Sequence, residues 1–295
     1  MAKKKIEKDV PEEPEVTEEA EAPVIQTAEI EVVTPVSEEE VVAPTPKEST
    51  VDAWNPKTTI GKKVKKGEIK DIDEILDKGI KILETPIVDI LLPGMESDLL
   101  LIGQSKGKFG GGQRRIFKQT QKKTKEGNKP NFSTMAIIGN KDGYIGMGMG
   151  KAKETVPARE KALRNAKLNM IKIRRGCGSW ECNCKEPHSL PYAIKGKVGS
   201  VIITLMPAPK GTGLIVESEC AKILAMAGIK DVWSQSAGKT KTRVNILKAC
   251  FEALKKTGTV KIRSQDIENL GIVEGKSMSS ANQDKSFIEE MKHEE

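Results

Sequence analysis

Histidine is nearly absent from this chain: two residues, His188 and His293, in 295. With so few, no acid–base site built around histidine is evident, and turnover of a substrate is not expected. Runs of 18 or more apolar residues are missing too, which predicts no transmembrane helix. The opening Met1-Ala2-Lys3-Lys4-Lys5 turns acidic without an apolar stretch. That predicts no secretory signal and a cytosolic compartment. Five cysteines in such a chain read as reduced thiols or metal ligands, not as disulfides. Internal repeats are lacking. Residues 1–50 have no arginine and no aromatic residue, and set 14 acids against 5 lysines. A stretch of Glu, Pro, Val and Thr cannot bury enough apolar surface to offset its ordering entropy, so it reads as a disordered acidic arm. Residues 264–295, with 8 acids against 3 lysines, read as a second weakly ordered, acidic tail.

What is there is positive charge, and it is segregated. The net charge of +7 hides an excess of +21 on residues 51–263, between two acidic ends. That is the composition of a polyanion-binding body. A merely solvated surface is the alternative, and the excess is large for it.

Helical spacing of Ile72, Ile75, Leu76, Ile80 and Leu83 predicts that folding begins near Asp71, with Pro86 interrupting the helix. Strands are predicted at 114–122, 132–138 and 144–149, the last entered through Asn140-Lys141-Asp142-Gly143. A helix over about 154–173 carries Ala158, Ala162, Ala166 and Met170 on one face, and cations on the others. Helix, three antiparallel strands, helix is the outline of a double-stranded-RNA-binding fold. A cysteine-rich linker loop, 176–196, comes next. Then follow the alternating segment Val198, Val201, Ile203, Leu205, a strand at 214–216, a helix at 218–227, a strand at 231–235 and a helix at 242–256. The expected class is α+β: an acidic arm and basic linker (1–70), a double-stranded-RNA-binding-like domain (71–175), the linker loop, a small C-terminal α/β two-layer sandwich (197–263) and the tail.

Residues 103–115 combine five glycines with Lys106, Lys108, Arg114 and Arg115. Glycine lets backbone N–H groups approach phosphate while the cations neutralise it. A mobile loop whose charge only aids solubility is the bland reading. Gly143–Lys151 resembles a P-loop but has Ile145 where the first glycine is needed, and Ala152 where Ser or Thr is needed. Gly238-Lys239-Thr240 fails likewise at Trp233. The first stretch reads as a strand whose small residues admit a phosphate backbone or the following helix. Cys177, Cys182, Cys184 and His188 form C-x4-C-x-C-x3-H. Four soft ligands within twelve residues either close a tetrahedral zinc site or are reduced thiols in a surface loop, and the C-x-C pair is cramped for zinc. Cys220 and Cys250 read as core.

Several runs in one order resemble the universal small-subunit ribosomal protein S-five family, in its archaeal and eukaryotic-like branch. They are Gly107–Arg115, Gly143–Lys153, Pro187–Pro191, Pro207–Gly213 and Ala227–Trp233. The resemblance covers about 85–260 and leaves the acidic arm outside. It implies a structural constituent of the small subunit that binds rRNA, contacts small-subunit proteins four and eight, lines the mRNA entry path and supports decoding accuracy. By matched position it implies that 106–115 approaches rRNA. It also implies that Lys210, Gly211, Thr212, Gly213 and Glu219 lie on the surface facing protein four.

RNA contact is therefore expected from Lys106, Lys108, Gly111, Gln113, Arg114 and Arg115, and from Lys118, Lys122, Lys123 and Lys141. A second group is Lys151, Lys153, Arg159, Arg164, Lys167, Arg174 and Arg175. Affinity is expected to fall steeply with salt, and shape to matter more than base sequence. A free double-stranded-RNA-binding regulator is the alternative; it would sediment with mixed RNAs. An RNA-modifying or nucleotide-using enzyme would show turnover dependent on Lys151 or Lys239.

Overall fold

The computed structural model describes residues 54–105, 107 and 113–276. The expected disorder of 1–50 lies outside the described residues, as does that of 277–295. Three short helices open the fold: α1 (Thr59–Lys65), α2 (Asp73–Asp77) and α3 (Thr85–Leu91). Folding thus starts ahead of Asp71. Thr58 Oγ1 accepts the Gly61 N–H at 3.0 Å, and the distant Glu84 carboxylate accepts the N–H groups of Lys57 and Thr58 at 2.9 and 2.6 Å. Val64 then packs with Ile75, Ile87 and Val88. Pro86 begins α3 instead of ending a helix, because a first-turn proline has no needed N–H to lose. The periodic stretch before it is broken at Gly79, whose φ of 65° leaves the helical region.

The first sheet comprises β1 (Glu96–Leu100), β2 (Lys118–Thr124), β3 (Gly127–Gly139), β4 (Tyr144–Ala152) and β5 (Met170–Lys172). Its order is β1-β3-β4-β5, with β2 also on β3. The 13-residue β3 is long enough to hold two strands end to end on one edge. Its last residues pair with β1 (Leu100↔Met135) and its first with β2 (Lys122↔Lys129). Beyond the Phe132↔Ala152 pair β4 stops, so β2 and the start of β3 continue as a two-stranded, solvent-exposed ribbon.

Helix α4 (Thr155–Leu168) lies on this sheet through Ala158, Ala162 and Ala166, which face Gly146, Gly148 and Gly150 of β4. The helix expected to reach Ile173 stops at Leu168. Asn165 and Asn169 donate side-chain hydrogen bonds to the carbonyls of Met149 and Met147, and Met170–Lys172 leave as β5 alongside Tyr144–Gly146. Pairing a further strand satisfies more backbone than a frayed turn would.

Strand β6 (Arg174–Arg175) leads through the cysteine loop to β7 (Ile194–Val198), β8 (Val201–Pro207), β9 (Leu214–Ile215), α5 (Ser218–Met226), β10 (Val232–Ala237) and α6 (Arg243–Thr257). The sheet order is β7-β8-β10-β9, with β9 parallel to β10. Val201, Ile203 and Leu205 point inward, as their alternation predicts, and meet Ile246, Leu247, Cys250 and Phe251 of α6. One apolar core runs from these residues to Leu100, Met135, Ile137 and Ile145 of the first sheet. The architecture is mixed α and β.

The tail expected from residue 264 folds in part. Helix α7 (Ser264–Asn269) precedes β11 (Val273–Glu274), which pairs with β6. The Leu270 carbonyl accepts the Cys177 N–H at 2.8 Å, and the Gly275 carbonyl accepts a bond from Arg175 at 2.9 Å. Composition missed this because one buried apolar side chain, Ile272, and long-range backbone bonds hold it.

Candidate functional site

Residues expected to meet RNA divide into three groups. Lys106, Lys108 and Gly111 lie outside the described residues. Gln113, Arg115, Lys118, Lys122, Lys123, Lys151, Lys153, Arg159 and Arg164 are exposed, Lys141 is exposed but pairs with Glu96 at 2.5 Å, and Arg114 is half-buried. The rest are engaged inside the protein. Lys167 pairs with Asp89 at 2.5 Å. Arg174 pairs with Glu274 and donates to the Val260 carbonyl. Arg175 is 5% exposed, held by Asp142 at 2.5 Å and by the Gly275 carbonyl. Arg175 is therefore a structural cation, a correction that its position in a run of basic residues could not reveal.

The ribbon concentrates the exposed charge. Register places Lys118, Ser133 and Lys151 in one row across three strands, with Lys122 directly opposite Lys129 two rows further out. By strand alternation these lysines share the sheet face turned away from α4. Like charges placed directly opposite destabilise a strand pair. Lys129 also pairs with Glu126 at 2.9 Å, an exposed ion pair that offsets part of this repulsion; the remaining charge suits a polyanion. Lys125 and Lys129 went unnoticed in the sequence; the hairpin turn at Glu126-Gly127 is the signal that would have placed them.

The cysteine loop closes on itself. Gly176 and Ser189 exchange both backbone hydrogen bonds at 3.0 Å, which sets Cys177 beside His188. A turn bonded from Cys182 N–H to the Ser179 carbonyl brings in Cys182. Lys185 takes the left-handed conformation, φ 55°, where the chain doubles back after Cys184. The three sulfurs and a ring nitrogen of His188 end within 4.8 Å of one another. Cys182 Sγ stands 3.9 Å from His188 Nε2, against roughly 3.6 Å for the edge of a zinc tetrahedron built from ordinary Zn–S and Zn–N bonds. The Cys184 sulfur lies within the same 4.8 Å, so the C-x-C spacing still lets both of its cysteines reach one site. The backbone N–H of Lys210 and the neighbouring Cys184 pull the Cys182 thiol down to about 6, while burial pushes that of Cys177 up to about 11.

Behind His188 stands a residue that sequence reading missed. Asp231 is 4% exposed; its Oδ2 lies 2.8 Å from His188 Nδ1, and its Oδ1 accepts the N–H groups of Gly211 and Gly213 at 3.1 and 2.8 Å. Forty-three residues separate it from His188, so no local spacing could show the pair. Lys210 is exposed and pairs with Glu186 at 2.6 Å; Gly211 and Gly213 take φ of 92° and 76°, and Thr212 Oγ1 donates to the Pro209 carbonyl. Glu219, expected on that surface, is instead 3% exposed and accepts the Leu101 N–H at 2.7 Å. It is an internal brace between α5 and the first sheet.

The glycines of Gly143–Lys151 form no phosphate cradle. Gly146, Gly148 and Gly150 are covered by α4, so the helix, not a phosphate, occupies the space they leave. Residues 103–107 match Gly-x-Ser-x-Gly, but Ser105 sits in an isolated bridge to Arg114 between strands, with no strand-to-helix elbow.

Two family profiles match the chain in order: ribosomal protein S5, N-terminal domain, over residues 116–174, and ribosomal protein S5, C-terminal domain, over 196–268. The candidate metal-ligand set at 177–188 falls between them. Curated relatives named small ribosomal subunit protein uS5 include that of Nanoarchaeum equitans, 48% identical over 225 residues, covering 76% of this chain and 96% of the relative. The Methanobrevibacter smithii protein is 46% identical over 222 residues (75% and 97%), and that of Thermofilum pendens 47% over 204 (69% and 94%). With such identity across nearly the whole of each relative, the chain belongs to the ribosomal protein S5 family.

Proposed function

We propose that the chain is a structural, non-catalytic constituent of the small ribosomal subunit in the cytoplasm, binding rRNA and neighbouring ribosomal proteins. The observation that carries the RNA contact is the lysine face of the β2–β3 ribbon; exposed Arg115, and Arg159 and Arg164 on α4 at the other side of the sheet, add further basic surface. Affinity comes mainly from phosphate neutralisation. Helix α4 across antiparallel strands supports a double-stranded-RNA-binding-like reading of 71–175, and the separate sheet of 197–263 supports a second domain. The Lys210–Gly213 turn supports a protein interface, taken to face small-subunit protein four, with protein eight and the mRNA entry path as further neighbours. Zinc is the metal that the Cys177, Cys182, Cys184 and His188 set fits: a closed Cys3His shell is a structural, not a catalytic, site.

Sedimentation of a cell extract tests the reading. The protein is expected at stoichiometric amount with the small subunit; distribution over heterogeneous RNAs would favour a free RNA-binding regulator instead.

A further inference from the structure

The Cys3His cluster does not stand alone in the fold. The Pro209–Gly213 turn is tied to it through Asp231. The N–H groups of Gly211 and Gly213 converge on Asp231 Oδ1, whose other oxygen meets His188 Nδ1. Asp231 is nearly inaccessible to water, so these three polar contacts are its compensation for burial. Its backbone joins the same knot: the His188 carbonyl accepts the N–H groups of Lys230 and Asp231, and Ser189 Oγ donates to the Asp231 carbonyl.

A histidine that ligates a metal through Nε2 presents its other nitrogen as a donor, and a carboxylate receiving that proton fixes the ring. His188 and Asp231 have this geometry. On it, and resting on the zinc reading above, we infer that metal occupancy positions the Lys210–Gly213 turn, with Asp231 as the positioning residue that couples the two. With zinc bound, His188 is pinned, Asp231 is pinned by His188, and the two glycine amides have a fixed acceptor. Without zinc the imidazole is free to turn, and Asp231 loses its directed donor. The turn then loosens while the sheet β7-β8-β10-β9, held by its own core, stays intact. Coupling is reciprocal: a protein partner that binds the ordered turn tightens zinc by the same factor that zinc tightens the partner.

Full-length protein, reconstituted with zinc and with the metal then removed by chelation, provides the test. Metal analysis is expected to give one zinc per chain, and cobalt substitution a tetrahedral thiolate spectrum. On chelation, hydrogen exchange at Gly211 and Gly213 is expected to rise at least tenfold, with exchange in β8 and α6 unchanged. Cys184→Ser, which leaves Asp231 untouched, is expected to reproduce that rise. Asp231→Asn is expected to weaken zinc 10- to 100-fold in competition with a chromophoric chelator, the range typical of lost outer partners of metal ligands. Zinc bound but glycine exchange indifferent to it would overturn the coupling and leave the metal site standing. No zinc taken up by the wild-type protein would remove both.

Discussion

Gly148 of β4 and Ala162 of α4 meet without an intervening side chain: a β-carbon added at Gly148 would enter the space of the Ala162 carbonyl oxygen and of the Ala166 nitrogen. The same holds for Gly146 against Ala166 and for Gly150 against Ala158. A glycine stripe on a strand and an alanine stripe on the following helix thus bring two backbones together. Gly148→Ala forces the helix outward and is expected to lower stability by about 1–3 kcal/mol, as overpacked cores do. Thermal unfolding measures it. RNA affinity per folded molecule stays unchanged, since that face of β4 is covered; a loss of affinity without loss of stability would return these glycines to the RNA surface.

On the ribbon, Lys122 faces Lys129. Replacing both with Gln removes two cations expected to neutralise phosphate, one repulsive pair and the exposed Lys129–Glu126 ion pair. The salt dependence of rRNA binding is expected to flatten by about two phosphate equivalents, while the unfolding midpoint holds or rises. Filter binding across a potassium chloride series reads the slope; an unaltered slope would take the ribbon out of the interface.

Arg114 and Arg115 replaced together by Ala are expected to weaken rRNA binding with little change in stability. Arg175→Ala behaves in the opposite way. It takes from the partly buried Asp142 and from the Gly275 carbonyl their bonds to Arg175, and breaking a buried pair costs up to about 3–5 kcal/mol. Denaturant unfolding alongside RNA titration separates the two kinds of arginine.

Truncation after Arg263 removes α7 and β11. If 264–276 were loose tail, nothing would change. Loss of Ile272 burial, of the β6 pairing and of the Leu270 and Gly275 carbonyl acceptors is instead expected to destabilise the fold by at least about 2 kcal/mol. Truncation after Lys276 serves as the control.

Wherever one residue's neighbours in the chain are also its neighbours in space, the sequence alone determined the outcome. The Val201, Ile203, Leu205 alternation makes a half-buried strand because its period is two. The Ala158, Ala162, Ala166 repeat makes a close-packed helix face because its period is near 3.6. Four ligands within twelve residues can be gathered by turns of their own segment, so the candidate metal set was legible too, as was the central excess of positive charge. Tertiary structure decided what depends on distant partners. It chose which cations remain free: Arg175 reads like Arg114 in the chain, and only Asp142 and Gly275 distinguish them. It buried Glu219 under Leu101 and folded residues 264–276 back onto β6. It also brought Asp231 behind His188, because a buried carboxylate takes whatever donors the fold supplies, however far away in the chain they lie.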